Sequence, residues 1–185
     1  MTIDLNMNRA GLAQLFAELG FTEGAEIGVE KGVFSEILCQ ANPQLTLYSI
    51  DPWKAYREYR DHTTQEKIDE IYNEAVNRLK NYNCKIIRKF SEEAYKDFAD
   101  VSLDFVYIDA NHDAKHTWQD LTLWVPKVKP GGIVSGHDFV RYKGDYGLVN
   151  QVKDTVLKFT GENNISPLFA LRDANERTSW MWVKR

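Results

Sequence analysis

Between Leu103 and Phe139 the chain reads LDFVYIDANHDAKHTWQDLTLWVPKVKPGGIVSGHDF, and this stretch constrains the fold more than any other. Leu103 to Ile108 is mostly apolar, β-branched and aromatic, the pattern of a strand buried on both faces of a parallel sheet. It stops at Asp109-Ala110-Asn111-His112-Asp113, a polar loop at the strand's C-terminal end. Beyond it Trp118, Leu121, Trp124, Val125 and Val128 recur at helical spacing, which predicts a helix over 116–127. Lys129-Pro130-Gly131-Gly132 is expected to terminate that helix, and a second strand from Gly132 to Ser135 then runs into Gly136-His137-Asp138. Two successive strands joined by one helix are parallel, so Asp109 and His137-Asp138 are expected along one sheet edge, where open α/β sheets bind ligands.

The same alternation extends in both directions. Leu12, Leu15, Phe16 and Leu19 share one face of a helix over 8–19, expected to cover part of the sheet or the site. Gly24 to Val29 and Leu45 to Ile50 read as strands, the first followed by a glycine turn and a helix, the second by Asp51-Pro52-Trp53. Ile68, Ile71, Tyr72, Ala75 and Leu79 mark an exposed crossover helix within 61–81, with 53–60 as a loop or short helix over the site. Cys84 to Arg88 is a third strand, after which Ser91 is placed to cap a short helix carrying Glu92 and Glu93 in its first turn. A helix over 145–159 and two closing strands, Ile165 to Leu171 and Thr178 to Val183, complete the chain. The short polar turn between those strands requires at least one of them to run antiparallel to the rest.

A chain of 185 residues with 43% hydrophobic and 27% charged residues has the size and mix of one domain with a substantial core. Its net charge of −4, with no basic run, disfavours a nucleic-acid backbone as partner. Cys39 and Cys84 have neither ligand nor disulfide-framework spacing and are expected to be reduced and packed. With no long apolar core near the N-terminus, no membrane partner is expected and a cytoplasmic location is.

Candidate binding residues follow from the strand ends. In Glu26-x-Gly28-x-x-x-Gly32 the glycines let a turn approach a ligand closely, and the next helix offers unpaired amides. The spacing is neither Gly-x-Gly-x-x-Gly nor a P-loop. Asp51 ends the next strand about 20 residues on, where a carboxylate can accept both hydroxyls of a ribose. Together these ends favour a nucleoside-containing cofactor.

EIGVEKGVFS, the Asp51 of SIDPW and above all VYIDANHDAKHTWQDLTLWVPKVKPGGIVSGHDF resemble class I S-adenosylmethionine-dependent methyltransferases, in the small-molecule O-methyltransferase group with a D-x-x-H loop and a G-H-D strand end. The resemblance covers Gly24 to Phe139, and the last two strands fit the family's reversed hairpin. It implies a single Rossmann-like doubly wound domain of about seven strands, mostly parallel with an antiparallel C-terminal strand, its core at 24–183 and a helical cover at 1–20. It places Glu26 and Gly28, with Gly32 in the same turn, at the methionine moiety of S-adenosylmethionine, Asp51 at the ribose, and Phe90 and Ser91 at the adenine. Trp53 either flanks ribose and adenine or packs, and Asp109 borders cofactor and acceptor. In relatives that use a divalent metal such as magnesium, the matching positions are Asp109, His137 and Asp138.

Imidazole is a poor magnesium ligand, so two alternatives stand: a metal held by Asp109, His137 and Asp138, or His112 or His137 acting as general base beside Asp109. His116 reads as a cap or surface residue, His62 as solvated, Asp113 and Asp120 as solvent-facing, and Trp118 and Trp124 as packing. The implied partner is a small-molecule hydroxyl acceptor, a sugar or secondary metabolite, and the N-terminal amphipathic helix offers a surface for a homo-oligomer. A nicotinamide or other nucleotide-dependent enzyme and a catalytically silent cofactor-binding module remain the competing readings.

Overall fold

The structure, a computed structural model, describes residues 1–56, 64–141, 150–173 and 176–185. In chain order the main elements are β1 (Thr2–Asn6), α1 (Arg9–Glu18), β2 (Glu23–Ile27), α2 (Val33–Ala41), β3 (Thr46–Ile50), α3 (Gln65–Leu79), β4 (Cys84–Ile87), α4 (Ser91–Ala94), β5 (Leu103–Ile108), α5 (Ala114–Trp124), β6 (Val128–Gly136), α6 (Val152–Glu162), β7 (Leu168–Asp173) and β8 (Glu176–Val183). The strands form one sheet in the order β1-β7-β8-β6-β5-β2-β3-β4. Pairings from β4 through β6 are parallel, and β8 runs antiparallel to both neighbours. This is the expected doubly wound α/β sheet.

Period-two alternation builds the two faces. In β5, Phe105 and Tyr107 turn to the side covered by α1 and α2, where Leu12, Phe16, Phe34 and Leu38 meet them. Val106 and Ile108 turn to the opposite side, against Leu121 and Trp124 of α5, Val156 of α6 and the stacked pair Trp180 and Trp182. Phe16 stacks on Phe105 with ring centroids 4.1 Å apart, and Leu12 and Phe16 of the apolar face of α1 are buried against the sheet while Leu19 stays exposed. Gly24 makes room for that stack, since a Cβ there would fall 2.2 Å from the Phe105 ring.

Four expectations needed correction. The first is β1, an edge strand paired in parallel with β7 and mostly exposed, so it lacks the buried alternation that marks a strand in sequence and raises the total to eight among the described residues. The second is Lys129-Pro130-Gly131-Gly132, which does not stop the helix but lies inside β6; the register with β5 shifts there, and Gly131 takes φ +82°. The third is Ser91, which does not cap α4. Phe90 holds the cap position, and the Ser91 hydroxyl turns into the core instead. The fourth is Asp120, which is buried. The expected residues 145–149 of the last helix, together with His62, lie outside the described residues; α6 begins at Val152. No helix among the described residues is long and apolar enough to cross a membrane.

Candidate active site

A cavity of about 490 Å³ opens across the C-terminal ends of β2, β3, β4 and β5. Of the residues singled out in the sequence, Glu26, Gly28, Asp51, Trp53, Phe90, Ser91, Asp109 and His112 line it. Gly32, His137 and Asp138 are not in its wall: Gly32 starts α2, and the pair from β6 lies behind Asp109 and His112.

The first turn is shaped by glycine and by Asp51. Gly28 has φ +89°, and a Cβ there would fall 2.1 Å from the Asp109 carbonyl oxygen, so β2 and β5 approach each other as only glycine allows. Asp51 Oδ2 accepts from the backbone amides of Val29 and Glu30 at 3.0 and 3.1 Å, and Oδ1 from Trp53 at 2.9 Å. Burial raises the Asp51 pKa and these amides oppose the rise. One carboxylate thus ties the end of β3 to the turn after β2.

Glu26 is 2% exposed at the cavity wall. Its Oε2 accepts a short hydrogen bond from Ser35, whose hydroxyl is 2.8 Å from that of Ser49, itself 3.1 Å from Cys84 Sγ. Burial holds the Glu26 pKa well above the usual carboxylate range, with the Ser35 bond opposing. An incoming ammonium group would reverse that balance. Cys39 and Cys84 are both free thiols.

Trp53, also in the cavity wall, is buried, packs on Tyr72, and donates its indole N–H to the Glu30 carbonyl at 2.9 Å. Glu30, Trp53 and Asp138 all hold positive φ, at 49°, 39° and 56°. Such strain in non-glycine residues clusters where surrounding structure over-determines the backbone, as it does here at three strand ends.

Asp109, His112, His137 and Asp138 converge. His112 Nε2 lies 3.2 Å from Asp138 Oδ2 and 3.6 Å from Asp109 Oδ1. His137 Nδ1 lies 3.2 Å from the same Asp138 Oδ2 and 3.8 Å from Asp109 Oδ2. Ligand atoms of Asp109, His137 and Asp138 all fall within 4.8 Å of one another, the spacing of a cation site. The His137 side chain is 10% exposed, and its Nε2 is buried without a hydrogen-bond partner among the described residues. Such an orphan costs about 1–3 kcal/mol, which a strong interaction at Nδ1 would offset.

Several site residues escaped the sequence reading. Tyr56 meets Phe90 edge-on and accepts from Asn111 Nδ2 at 2.9 Å; burial pushes its hydroxyl pKa to about 12. Arg9, from outside the recognised motifs, lines the cavity beside Phe34. His116 also lines it, with Nδ1 2.6 Å from Asp113 Oδ2, while Asp113 caps α5. Asp120 accepts from the Ser91 hydroxyl, which in turn accepts from Trp124 Nε1 at 2.8 Å. No periodic pattern distinguishes a buried aspartate from an exposed one one turn away.

Burial, opposed by the Ser91 bond, raises the Asp120 pKa from 3.8 to about 7. An acid protonated in the fold but ionised when unfolded removes stability as pH rises from about 4 to 7, by up to ~4 kcal/mol. Asp120→Asn should therefore melt with the native protein near pH 4 and several degrees above it at pH 8. Coincident melting curves at pH 8 would refute the buried-acid assignment.

Sheet order and cavity position define the open α/β class, whose ligands lie across the carboxyl ends of the strands. Residues 25–139 match the model of a methyltransferase domain, and the chain belongs to that family. It is 27% identical over 119 residues to the y4gI protein of Sinorhizobium fredii, covering 61% of this chain and 12% of that protein, so it spans only about an eighth of that relative's length. Among solved structures, cofactor-bound Rv0187 from MTB superposes with a TM-score of 0.70 at 16% identity, covering 96% of this chain and 79% of that one. The O-methyltransferase from Bacillus cereus in complex with SAH gives 0.66 at 16% identity, covering 98% and 83%.

Proposed function

We propose that the chain moves the methyl group of S-adenosylmethionine to a hydroxyl oxygen of a small molecule. The observation that carries this is the meeting of two sets of residues on one cavity: Glu26 and Asp51 at one end, Asp109 and His112 at the other, with Asp138 and His137 behind them. The solved relatives include a protein named as an O-methyltransferase and one named as cofactor-bound.

In this reading the buried Glu26 ionises against the ammonium of the methionine moiety. Asp51, its geometry held by three backbone amides, accepts the ribose hydroxyls with its remaining lone pairs. Phe90, Ser91 and Trp53 border the adenine. The acceptor oxygen attacks the methyl carbon, the carbon–sulfur bond breaks, and sulfur leaves as a neutral thioether, so alignment contributes most of the acceleration. The hydroxyl proton needs a destination. His112, steadied by Asp138 at 3.2 Å, would accept it as a general base. The convergent donors also fit a divalent cation, which Asp109, His137 and Asp138 would hold and which would lower the pKa of a bound hydroxyl.

Calorimetric titration with S-adenosylhomocysteine tests the cofactor. Saturable one-site binding is expected, weakened at least about tenfold in Asp51→Ala, which loses charge-assisted hydrogen bonds. A native protein that does not bind would end this reading.

A further inference from the structure

Cys39 and Cys84, far apart in sequence, are brought together by the fold. Glu36, Cys39 and Gln40 share one face of α2, at positions i, i+3 and i+4. That face meets the chain as it enters β4: Gln40 Nε2 donates to the Tyr82 hydroxyl at 3.0 Å, and that hydroxyl donates to Glu36 Oε1 at 3.4 Å. On the same face the Cys39 thiol hydrogen-bonds to Cys84, the first residue of β4. Cys39 is buried in the core under α2, whereas Cys84 is half-buried.

Cys84 Sγ also lies 3.1 Å from the Ser49 hydroxyl, and the supply of protons gives this contact a direction. Ser35 spends its one hydroxyl proton on Glu26 Oε2, so Ser49 spends its own on Ser35, 2.8 Å away. Cys84 S–H is then the donor to Ser49, and Cys39 S–H the donor to Cys84. The bonds run one way, from the thiol pair to the Glu26 carboxylate in the cavity wall. Ser35 and Ser49 are fully buried, so solvent does not replace a missing donor. When Cys84 ionises, Ser49 can give its proton to the thiolate only by taking it from Ser35. The Cys39 thiol, helped by Ser49, holds the Cys84 pKa below the usual thiol value against burial, while donation to Cys84 pushes the Cys39 pKa up. A partly exposed, more acidic thiol beside a buried one is the arrangement of an attacking and a resolving cysteine.

We propose that Cys39 and Cys84 are a peroxide-oxidisable pair whose disulfide weakens ligand binding at Glu26 through Ser49 and Ser35. The Cys84 thiolate attacks one oxygen of hydrogen peroxide, the O–O bond breaks, and the departing hydroxide takes up a proton to leave as water. Cys84 is now a sulfenic acid. Cys39 sulfur attacks Cys84 sulfur and loses its proton to the hydroxide that departs, so a second water leaves. Two thiols are oxidised to one disulfide and one peroxide is reduced to two waters. The disulfide has no S–H, so Ser49 loses its donor, and the relay no longer holds Ser35 in one orientation against Glu26. The thiol pair stands on the packing of α2 against the start of β4; its effect on binding rests on the methyl-transfer reading, which gives Glu26 to the cofactor's ammonium.

The test takes full-length protein, reduced with dithiothreitol and then freed of it, and adds stoichiometric hydrogen peroxide. The chain has 2 cysteines, so the thiol count is unambiguous. Both thiols are expected to disappear without cross-linking of chains, and a peptide map should show Cys39 joined to Cys84. S-adenosylhomocysteine should then bind about fivefold more weakly, the effect of one lost hydrogen bond, and dithiothreitol should restore the affinity. Cys39→Ala, which lacks the resolving thiol, should stop at a Cys84 sulfenic acid that dimedone traps, whereas Cys84→Ala should keep its buried thiol. Thiols that survive peroxide in protein with a native melting curve, or a disulfide between chains in place of one within the chain, overturn the site. A disulfide that leaves affinity unchanged overturns the coupling to Glu26. Native protein that forms the disulfide but binds no S-adenosylhomocysteine when reduced would instead end the methyl-transfer reading and leave the thiol pair standing.

Discussion

Gly28→Ala is expected to lower the melting temperature by roughly 10 °C and to abolish S-adenosylhomocysteine binding in whatever fraction folds. Two costs add at this position. The backbone is at φ +89°, where an L side chain is strained by about 1–2 kcal/mol. The added Cβ also falls 2.1 Å from the Asp109 carbonyl oxygen and 2.7 Å from Ala110 Cα, and these are backbone atoms that no rotamer change can remove. Relief would mean moving the end of β5 away from β2, which are neighbours in the middle of the sheet. Two controls separate the terms. Gly20 has φ +69° with nothing within 4 Å of a Cβ, so Gly20→Ala should show the conformational cost alone, about 1 kcal/mol. Gly161 lies in α6 with open space and no positive φ, so its alanine variant should be neutral or stabilised by up to about 1 kcal/mol. If Gly28→Ala melted like Gly20→Ala, the close approach of the two strands would be wrong.

The parts legible in sequence are those whose environment is uniform along the element. β5 is buried on both faces, so LDFVYI is continuously apolar apart from Asp104, and its end is marked by an abrupt run of polar residues. Asp109, His137 and Asp138 could be placed at one edge because the topology of parallel strands leaves no other arrangement. What escaped depends on contacts between segments distant in sequence. Asp104, inside a hydrophobic strand, binds the backbone amides of Thr22 and Glu23 and the amine of Lys129, none of which local patterning reveals. Asp120 looks like any polar residue on an amphipathic helix, yet it faces Ser91 and Trp124 in the interior. β1 is an edge strand with little buried surface, and Tyr56 reaches its place only because the chain after β3 crosses to Asn111. The convergence of His112 with Asp138 is of the same kind: each was a candidate alone, and only the folded chain brings their side chains within 3.2 Å.

Asp109→Ala should lower turnover by about 10³-fold or more while leaving S-adenosylhomocysteine affinity within about threefold. The separation follows from which atoms of Asp109 face which neighbours. Its backbone is tied to the turn after β2, which the proposed reading gives to the cofactor: the amide donates to the Ile27 carbonyl at 2.8 Å, and the carbonyl packs against Gly28. Both survive truncation. Its side chain instead faces His112 and His137, the groups assigned to the acceptor's proton or to a cation. Removing the carboxylate also removes a negative charge that adds to the burial-driven rise in the Glu26 pKa, so ionisation of Glu26 against an ammonium becomes easier rather than harder. Turnover is read as S-adenosylhomocysteine released from S-adenosylmethionine with a hydroxyl acceptor that the native protein methylates. Parallel loss of affinity and turnover would mean that the Asp109 side chain holds the cofactor, and the division of the cavity into cofactor and acceptor ends would fail. Intact turnover would move the chemistry away from the ends of β5 and β6, leaving the Asp109, His112, His137 and Asp138 cluster as a structural ion-pair network.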